Sequence, residues 1–280
     1  TMSQIKGLYK ISRPLSTLSG ALSVFLGGYV ANTGAWLNIF LAALVTVLVS
    51  SSANAWNDYR DIEIDKINQP QRPLPAGMVK PQTAVIFSVC TAVISMVIAA
   101  FINWPAFAIA AISNSLLFLY SWKLKSTVLF GNITVATISA MSVIFGGVAA
   151  GNVRPTIWLA VIIFVAILGR EILKTLADYE GDLRQKCHTV ATVWGRRAAR
   201  ILFYILALLT IGLMLLPYWF DVFAPIYVFI VTLGVYPVIV YILVKVSRQR
   251  TGAQLERLSQ LMKYDFLVWF LAVVLGTQFV

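Results

Sequence analysis

Eight of the chain's eleven carboxylates fall in two short segments, each at the end of a long apolar stretch. The first reads Asn57-Asp58-Tyr59-Arg60-Asp61-Ile62-Glu63-Ile64-Asp65. The second runs from Arg170-Glu171 through Lys174 to Asp178-Tyr179-Glu180-Gly181-Asp182. Carboxylates beside lipid are costly and mark function more often than stability. If the helix of the preceding stretch continues into the first segment, Asn57, Asp61 and Asp65 recur at every fourth residue and share one face. Asp58 borders that face and Glu63 points away from it. In the second segment Arg170, Lys174, Asp178 and Asp182 repeat at the same interval, with Glu171 beside them. Like charges one turn apart repel each other, and a hard divalent cation with oxygen ligands removes that cost. Mg²⁺ is usually held by a few carboxylates together with substrate phosphates. The expected chemistry is therefore metal-assisted handling of a polyanion, with Asn57, Asp58, Asp61, Asp65, Asp178 and Asp182 as the ligand set.

Cations stand close to these acids. Lys66 and Arg72 follow the first segment within Lys66-Ile67-Asn68-Gln69-Pro70-Gln71-Arg72-Pro73-Leu74-Pro75-Ala76-Gly77, whose three prolines and glycine predict an ordered, non-helical connection able to fold over a site. Both are candidate diphosphate contacts. Tyr120-Ser121-Trp122-Lys123-Leu124-Lys125 supplies two further lysines after another apolar stretch, which serve equally well as snorkelling topology signals. Solvated helix ends would scatter acids along the chain, whereas the remaining loops are expected to carry only Asp221, Glu256 and Asp265, with Glu256 in a loop distant from both segments.

The elements that must carry these residues are membrane spans. Of 280 residues, 59% are hydrophobic and 12% charged, with a mean hydropathy of +0.83, far outside the soluble range. Nine stretches have the roughly 20 apolar residues a span requires: about 14–32, 36–56, 82–102, 104–122, 127–151, 155–175, 198–217, 222–245 and 262–280. The third and fourth meet at Asn103-Trp104-Pro105. The first span contains no acid and is followed by many others, which argues against a cleaved signal peptide. Thr1 before Met2 reads as a cloning remnant.

Lysine and arginine fix the orientation. Lys6, Lys10 and Arg13 precede span one, and basic residues follow spans two, four and six. Lys245, Arg248, Arg250, Arg257 and Lys263 surround the join of spans eight and nine, while the opposite loops offer only Arg154. This asymmetry predicts a cytoplasmic N-terminus and cytoplasmic even-to-odd connections, with the C-terminus outside. Both acidic segments then face the cytoplasm. The net charge of +11 reads as topology bias and attraction to anionic headgroups, not as nucleic-acid binding. Cys90 and Cys187 have no metal-ligand spacing and predict no structural disulfide. His188 is the only histidine, and no Ser/His/Asp set, phosphate-cradling glycine loop or dinucleotide fingerprint is present.

Asn57-Asp58-x-x-Asp61-x-x-x-Asp65 followed by Asn68-x-Pro70-x-Arg72-Pro73-x-Pro75-x-Gly77 resembles the first signature of the UbiA-type intramembrane prenyltransferases. Asp178-x-x-x-Asp182 resembles their second signature, Tyr120 with Lys125 their tyrosine-lysine stretch, and Arg13-Pro14 the start of their first span. The resemblance covers residues 1–280 as a single domain. It implies an all-α polytopic bundle of nine transmembrane helices around a central cavity, with a cap over the cytoplasmic mouth, in the plasma membrane. It also implies two Mg²⁺ ions holding a prenyl diphosphate. Asn57, Asp61 and Asp65 would serve one metal–diphosphate contact, Asp178 and Asp182 the other, and Lys66, Arg72, Tyr120, Lys123, Lys125 and Lys174 would bind diphosphate. Metal and lysines would neutralise the departing diphosphate while a lipophilic acceptor attacks the allylic cation.

Gly169-Arg170-Glu171-Ile172-x-Lys174 with Glu180-Gly181-Asp182, and Leu129-x-Gly131-Asn132-x-x-Val135-Ala136 with Gly146-Gly147, are similar to digeranylgeranylglyceryl phosphate synthases. Those enzymes add a geranylgeranyl group to geranylgeranylglyceryl phosphate in ether-lipid synthesis, and Arg13, Arg170 and Lys174 would then read the acceptor's phosphate. Their second motif usually carries further acids where this chain has Thr175 and Ala177. Aromatic and chlorophyllide prenyltransferases share Glu-Gly-Asp and stay as alternatives. A membrane transporter is the non-enzyme alternative, and it would place acids at midplane on broken helices.

Overall fold

In the computed structural model of the chain, residues 2–248 and 251–278 are described. Thr1 and Arg250 lie outside them, as do the side chains of Asn68 and Arg248. Among the described residues there is no strand, and the helices run in chain order: α1 (Met2–Ile11), α2 (Pro14–Ala31), α3 (Trp36–Arg60), α4 (Ile62–Asn68), α5 (Pro81–Ile102), α6 (Trp104–Trp122), α7 (Phe130–Ala150), α8 (Thr156–Ala177), α9 (Tyr179–Arg184), α10 (Val190–Val193), α11 (Arg196–Trp219), α12 (Pro225–Ile230), α13 (Tyr236–Arg248) and α14 (Gly252–Gly276). Among the described residues eight helices are long and apolar enough to cross a membrane. A ninth span results if the pair bent by 52° at the α1–α2 junction is counted as one crossing. The protein is a multi-pass integral membrane bundle, as the nine apolar stretches predict.

Two compact units divide the chain, Thr1–Leu124 with Met141–Arg154 and Lys125–Ala140 with Pro155–Val280. In the first unit α3 packs against α2, α5 and α6. Lipid offers no hydrophobic contrast between helices, so small residues and polar bonds hold the seams. Ser52 and Ser88 exchange hydrogen bonds across α3 and α5, each hydroxyl donating to the other's carbonyl at 2.8 and 2.9 Å. Asn114 on α6 donates to Ser95 Oγ on α5 at 3.1 Å. Where α2 crosses α7 the backbones touch: a Cβ on Gly27 would lie 1.9 Å from the Val143 carbonyl oxygen, and one on Gly146 would lie 2.0 Å from that of Val24. A single extended residue, Asn103, separates α5 from α6. Its side chain accepts from the Ala106 amide at 2.8 Å and caps the new helix.

In the second unit α8 is the central element, packed against α11, α14 and α10. Ile172, Leu173, Leu176 and Phe203 are fully buried there. Between α12 and α13 the span passes through a π turn, Val231–Val235. The last span differs from its expected bounds. α14 starts at Gly252 rather than near residue 262, because Thr251 accepts from the Gln254 amide at 3.3 Å and caps a helix continuous with the membrane segment. Glu256 and Asp265 are therefore helical residues, not loop residues.

Candidate active site

Each acidic segment is built on the same backbone joint. α3 ends at Arg60, Asp61 occupies a single non-helical position (φ −93°, ψ 5°), and α4 starts at Ile62. Its amide still donates to the Asn57 carbonyl at 2.9 Å, and the Asp65 amide donates to the Asp61 carbonyl at 2.8 Å. In the same way α8 ends at Ala177, Asp178 bridges (φ −86°, ψ 1°), and α9 starts at Tyr179. The Asp178 amide donates to the Lys174 carbonyl and the Asp182 amide to the Asp178 carbonyl, both at 2.9 Å. The four-residue spacing read from the sequence thus survives a break in each helix.

Around the first joint the acids are met by arginine. Asp58 is only 3% exposed and is bound by the Arg13 guanidinium, with Arg72 Nη1 3.8 Å away. Arg72 also donates to Asp65 Oδ2 at 2.7 Å and to Gln69 Oε1 at 2.9 Å. Asn57 Nδ2 donates to Asp61 Oδ2 at 3.0 Å. Arg13 holds its place at a strained point, a non-glycine residue at φ 50° directly before Pro14. Lys66 turns outward to Glu63 at 2.7 Å, both well exposed. The connection after Asp65 differs from its expectation at one end: Lys66 to Asn68 complete α4, and only residues beyond are turns. There Met78 and Val79 both donate to the Pro73 carbonyl, and Leu74 and Val79 are buried with Ile11, Ala55 and Ala84.

Around the second joint the acids have fewer partners. Glu171 is shared by Arg170 Nη1 at 3.3 Å and Lys174 Nζ at 3.1 Å, and Arg170 Nε also donates to the Ser259 carbonyl at 3.3 Å. Burial pushes the Asp178 carboxyl above its usual range; Lys174 pulls it down, while Glu256 and Glu171 push it further up. Glu256 is therefore close to the site, against the sequence expectation of a distant loop. Asp182 is raised by burial and by Asp178, against a hydrogen bond from Thr189. Burial and Asp182 also raise the Cys187 thiol, and Lys125 opposes them, which brings Lys125 to this joint.

Elsewhere, Lys123 lies over the Trp122 ring at 4.6 Å, and Ser121 next to Tyr120 reaches Asn57 Oδ1 at 3.4 Å. His188 is exposed, and both cysteines are free. Among the described residues no three His, Cys, Asp or Glu side chains converge as a ready-made metal cage. The donors present are oxygens in pairs one turn apart, and at the second joint the Asp178 carboxylate repels that of Asp182. That set fits a hard divalent cation whose remaining ligands come from water and a bound phosphate. Sequence reasoning missed the Arg13–Asp58 pair, whose members lie 45 residues apart, and the role of Glu256; the Thr251 cap would have given the latter its helix.

The sequence model of the UbiA prenyltransferase family matches residues 21–271. The chain is 35% identical over 214 residues to the digeranylgeranylglyceryl phosphate synthase of Methanopyrus kandleri, covering 76% of this chain and 79% of that protein. It is 28% identical over 267 residues to the enzyme of the same name from Methanosphaera stadtmanae, covering 95% and 97%. A solved structure of a digeranylgeranylglyceryl phosphate synthase superposes with a TM-score of 0.84 at 27% identity, covering 98% of both chains. A UbiA homologue from Archaeoglobus fulgidus bound to GPP and Mg²⁺ shares the fold, with a TM-score of 0.73 at 18% identity over 94% of this chain and 99% of that one. Paired acids on matching helix joints, a polytopic helical bundle and a family match across both units lead to one conclusion: this membrane enzyme belongs to the UbiA prenyltransferase family.

Proposed function

We propose that the chain transfers a geranylgeranyl group from its diphosphate to the free hydroxyl of geranylgeranylglyceryl phosphate, using one Mg²⁺ ion at each acidic joint. The relatives that share its length carry that activity in their name. A homologue of the same fold holds a prenyl diphosphate with Mg²⁺. We read residues 1–280 as one functional domain in the plasma membrane. Its N-terminus and both joints lie on the cytoplasmic side, from the lysine and arginine asymmetry.

In this reading Asn57, Asp61 and Asp65 present oxygens on one helix face, and Asp178 and Asp182 on another. Bound there, Mg²⁺ would neutralise charge building on the departing diphosphate. Arg72, beside Asp65, and Lys125, near Cys187, supply further positive charge to a bound diphosphate. The allylic carbon–oxygen bond breaks with its electrons on the diphosphate. The acceptor oxygen bonds to that carbon and releases its proton. Apolar spans keep water from the cation.

The observation that carries the acceptor assignment is the sharing of one carboxylate, Glu171, by two cations, Arg170 and Lys174. That set keeps a net positive charge on the helix that leads to Asp178, suited to a phosphate. Arg13, by contrast, is committed to Asp58, and its role is to position that acid. The test is to incubate the purified full chain with labelled geranylgeranyl diphosphate, Mg²⁺ and, separately, geranylgeranylglyceryl phosphate, homogentisate or chlorophyllide. Product from the glyceryl phosphate alone is expected, and its loss on adding chelator. Product from homogentisate or chlorophyllide instead would overturn the acceptor, and full turnover in chelator would overturn the metal.

A further inference from the structure

Within the second unit, α8, α11, α13 and α14 enclose a cavity walled by Phe203, Ala207, Met214, Ile239 and Phe266. One carboxylate, Asp265 on α14, lines it. The residue is 7% exposed, and its Oδ1 is buried with no hydrogen-bond partner among the described residues. It sits about halfway along a 25-residue spanning helix, far from either acidic joint in the chain. An ionisable group so placed is a functional site by default, since a leucine there would pack at no such cost.

A second departure from regular packing meets the first. The π turn Val231–Val235 inserts an extra residue into the facing span, and Val235 lines the same cavity. π turns of this kind collect at functional positions because they displace a helix face by one residue. An irregular backbone and an unpartnered acid at one cavity point to a ligand rather than to a packing fault.

The chemistry of the lining selects the ligand. Thr210 Oγ1 donates to the Leu206 carbonyl at 2.8 Å, so it offers the cavity only lone pairs. Asp265 offers acceptors when ionised and a donor when neutral. A hydroxyl both donates and accepts from one atom, and it satisfies either state. An ammonium would bring a second charge into an apolar cavity, with three donors to satisfy. The space is narrow, about 50 Å³, which suits the head of an unbranched or methyl-branched chain and not a ring system.

We propose that this cavity binds the head of a long-chain lipid alcohol, with its hydroxyl on Asp265 and the first carbons of its chain between α8, α11, α13 and α14. Gly169, which lines the cavity, directly precedes Arg170, but the test reads binding of the alcohols alone, so its failure and a failure of the acceptor assignment in the turnover assay are distinguishable.

The test uses the full chain in detergent and native mass spectrometry with thermal melting. Geranylgeraniol and octadecanol are the two alcohols, and the methyl ether of each is the control that lacks a donor. Wild type is expected to hold an alcohol about tenfold more tightly than its ether, the worth of one good hydrogen bond. Preference for geranylgeraniol over octadecanol would assign an isoprenoid source, and the reverse an alkyl lipid. Asp265→Leu is expected to bind alcohol and ether alike, and Asp265→Asn, which keeps a donor and an acceptor, to retain the preference. Ala207→Phe, which fills the space from α11, is expected to bind neither, and it carries the test if the α14 variants do not fold. Equal binding of alcohol and ether by wild type, or undiminished binding by Ala207→Phe, overturns the proposal.

Discussion

Asp61 and Asp178 occupy the same kind of position, a one-residue joint between a spanning helix and a short one, with the next acid a turn later. Their surroundings differ. Beside Asp61 the protein supplies its own counter-ions: Arg13 and Arg72 engage Asp58, and Arg72 engages Asp65. Beside Asp178 the cations Arg170 and Lys174 converge on Glu171 instead; Lys174 still attracts Asp178 and Thr189 bonds Asp182, but the net effect on both carboxyls is a shift towards the neutral form. One backbone plan thus carries a site whose acids are bound by an arginine network and another whose cations bind a neighbouring glutamate instead. The second depends more on an incoming cation, and the first has an arginine network that must be kept intact or rearranged when substrate arrives.

Four measurements test that contrast. The largest effect is expected from the acids at the joints. Asp61→Ala, Asp65→Ala, Asp178→Ala and Asp182→Ala should each lower turnover by about a hundredfold or more, as loss of a charge-stabilising group does. Their melting temperatures should separate: Asp178→Ala and Asp182→Ala at or above wild type without metal, Asp65→Ala below it because Arg72 loses its shortest ion pair. Four equal melting temperatures would erase the difference between the joints.

Arg13→Ala leaves Asp58 buried with only the more distant Arg72, and should cost about 1–3 kcal/mol of stability. Lys174→Ala should cost less, since Glu171 keeps Arg170 and Lys174 is itself 37% exposed. Thermal melts of the two variants, side by side, decide it; an equal or larger loss for Lys174→Ala goes against the arginine network.

The pH dependence of metal binding gives a smaller signal. Asp178 and Asp182 sit above the ordinary 3.8 of an aspartate because burial favours their neutral form. Without metal, their contribution to stability is complete below the unfolded value and is lost as pH rises through the raised folded values. Mg²⁺ binds the ionised form, so the rise in melting temperature on adding Mg²⁺ should be greatest near neutral pH and shrink as pH falls towards those values. Asp178→Asn with Asp182→Asn should flatten the profile. A wild-type shift that is constant with pH would sink this account.

Glu63→Ala should change least. Glu63 is exposed and pairs with Lys66, itself exposed, an arrangement worth little, so turnover should stay within about twofold. A hundredfold loss would place Glu63 in the site and break the face assignment.

Much of this arrangement was legible in the sequence because it is local. Apolar length located the spans, and a four-residue interval placed Asn57, Asp61 and Asp65 together; the hydrogen bonds through Asp61 kept that interval valid across a helix break. What escaped was contact between distant segments. Nothing near Asp58 announces Arg13, and nothing near Asp178 announces Glu256, since each pair is brought together by helix packing. The π turn has no local sequence mark beyond Gly234, which packs on Val268. The start of α14 differs for another reason: hydropathy weighs composition and passes over the threonine cap at Thr251, ahead of the apolar stretch that begins near residue 262.

The joints at Asp61 and Asp178 have a consequence for how such a chain tolerates insertion and deletion. Each joint interrupts the helix without resetting its phase, so rotation along α3 is still felt at Asp65, and rotation along α8 at Asp182. One extra residue between Asp61 and Asp65 would swing Asp65 by about 100° around the helix axis, away from Arg72, while leaving every apolar residue of α3 in place. Membrane insertion would be normal and the carboxylate would face the wrong way. Spacing between the two aspartates is therefore a fixed length in this protein, even where the residues that fill it are free to vary.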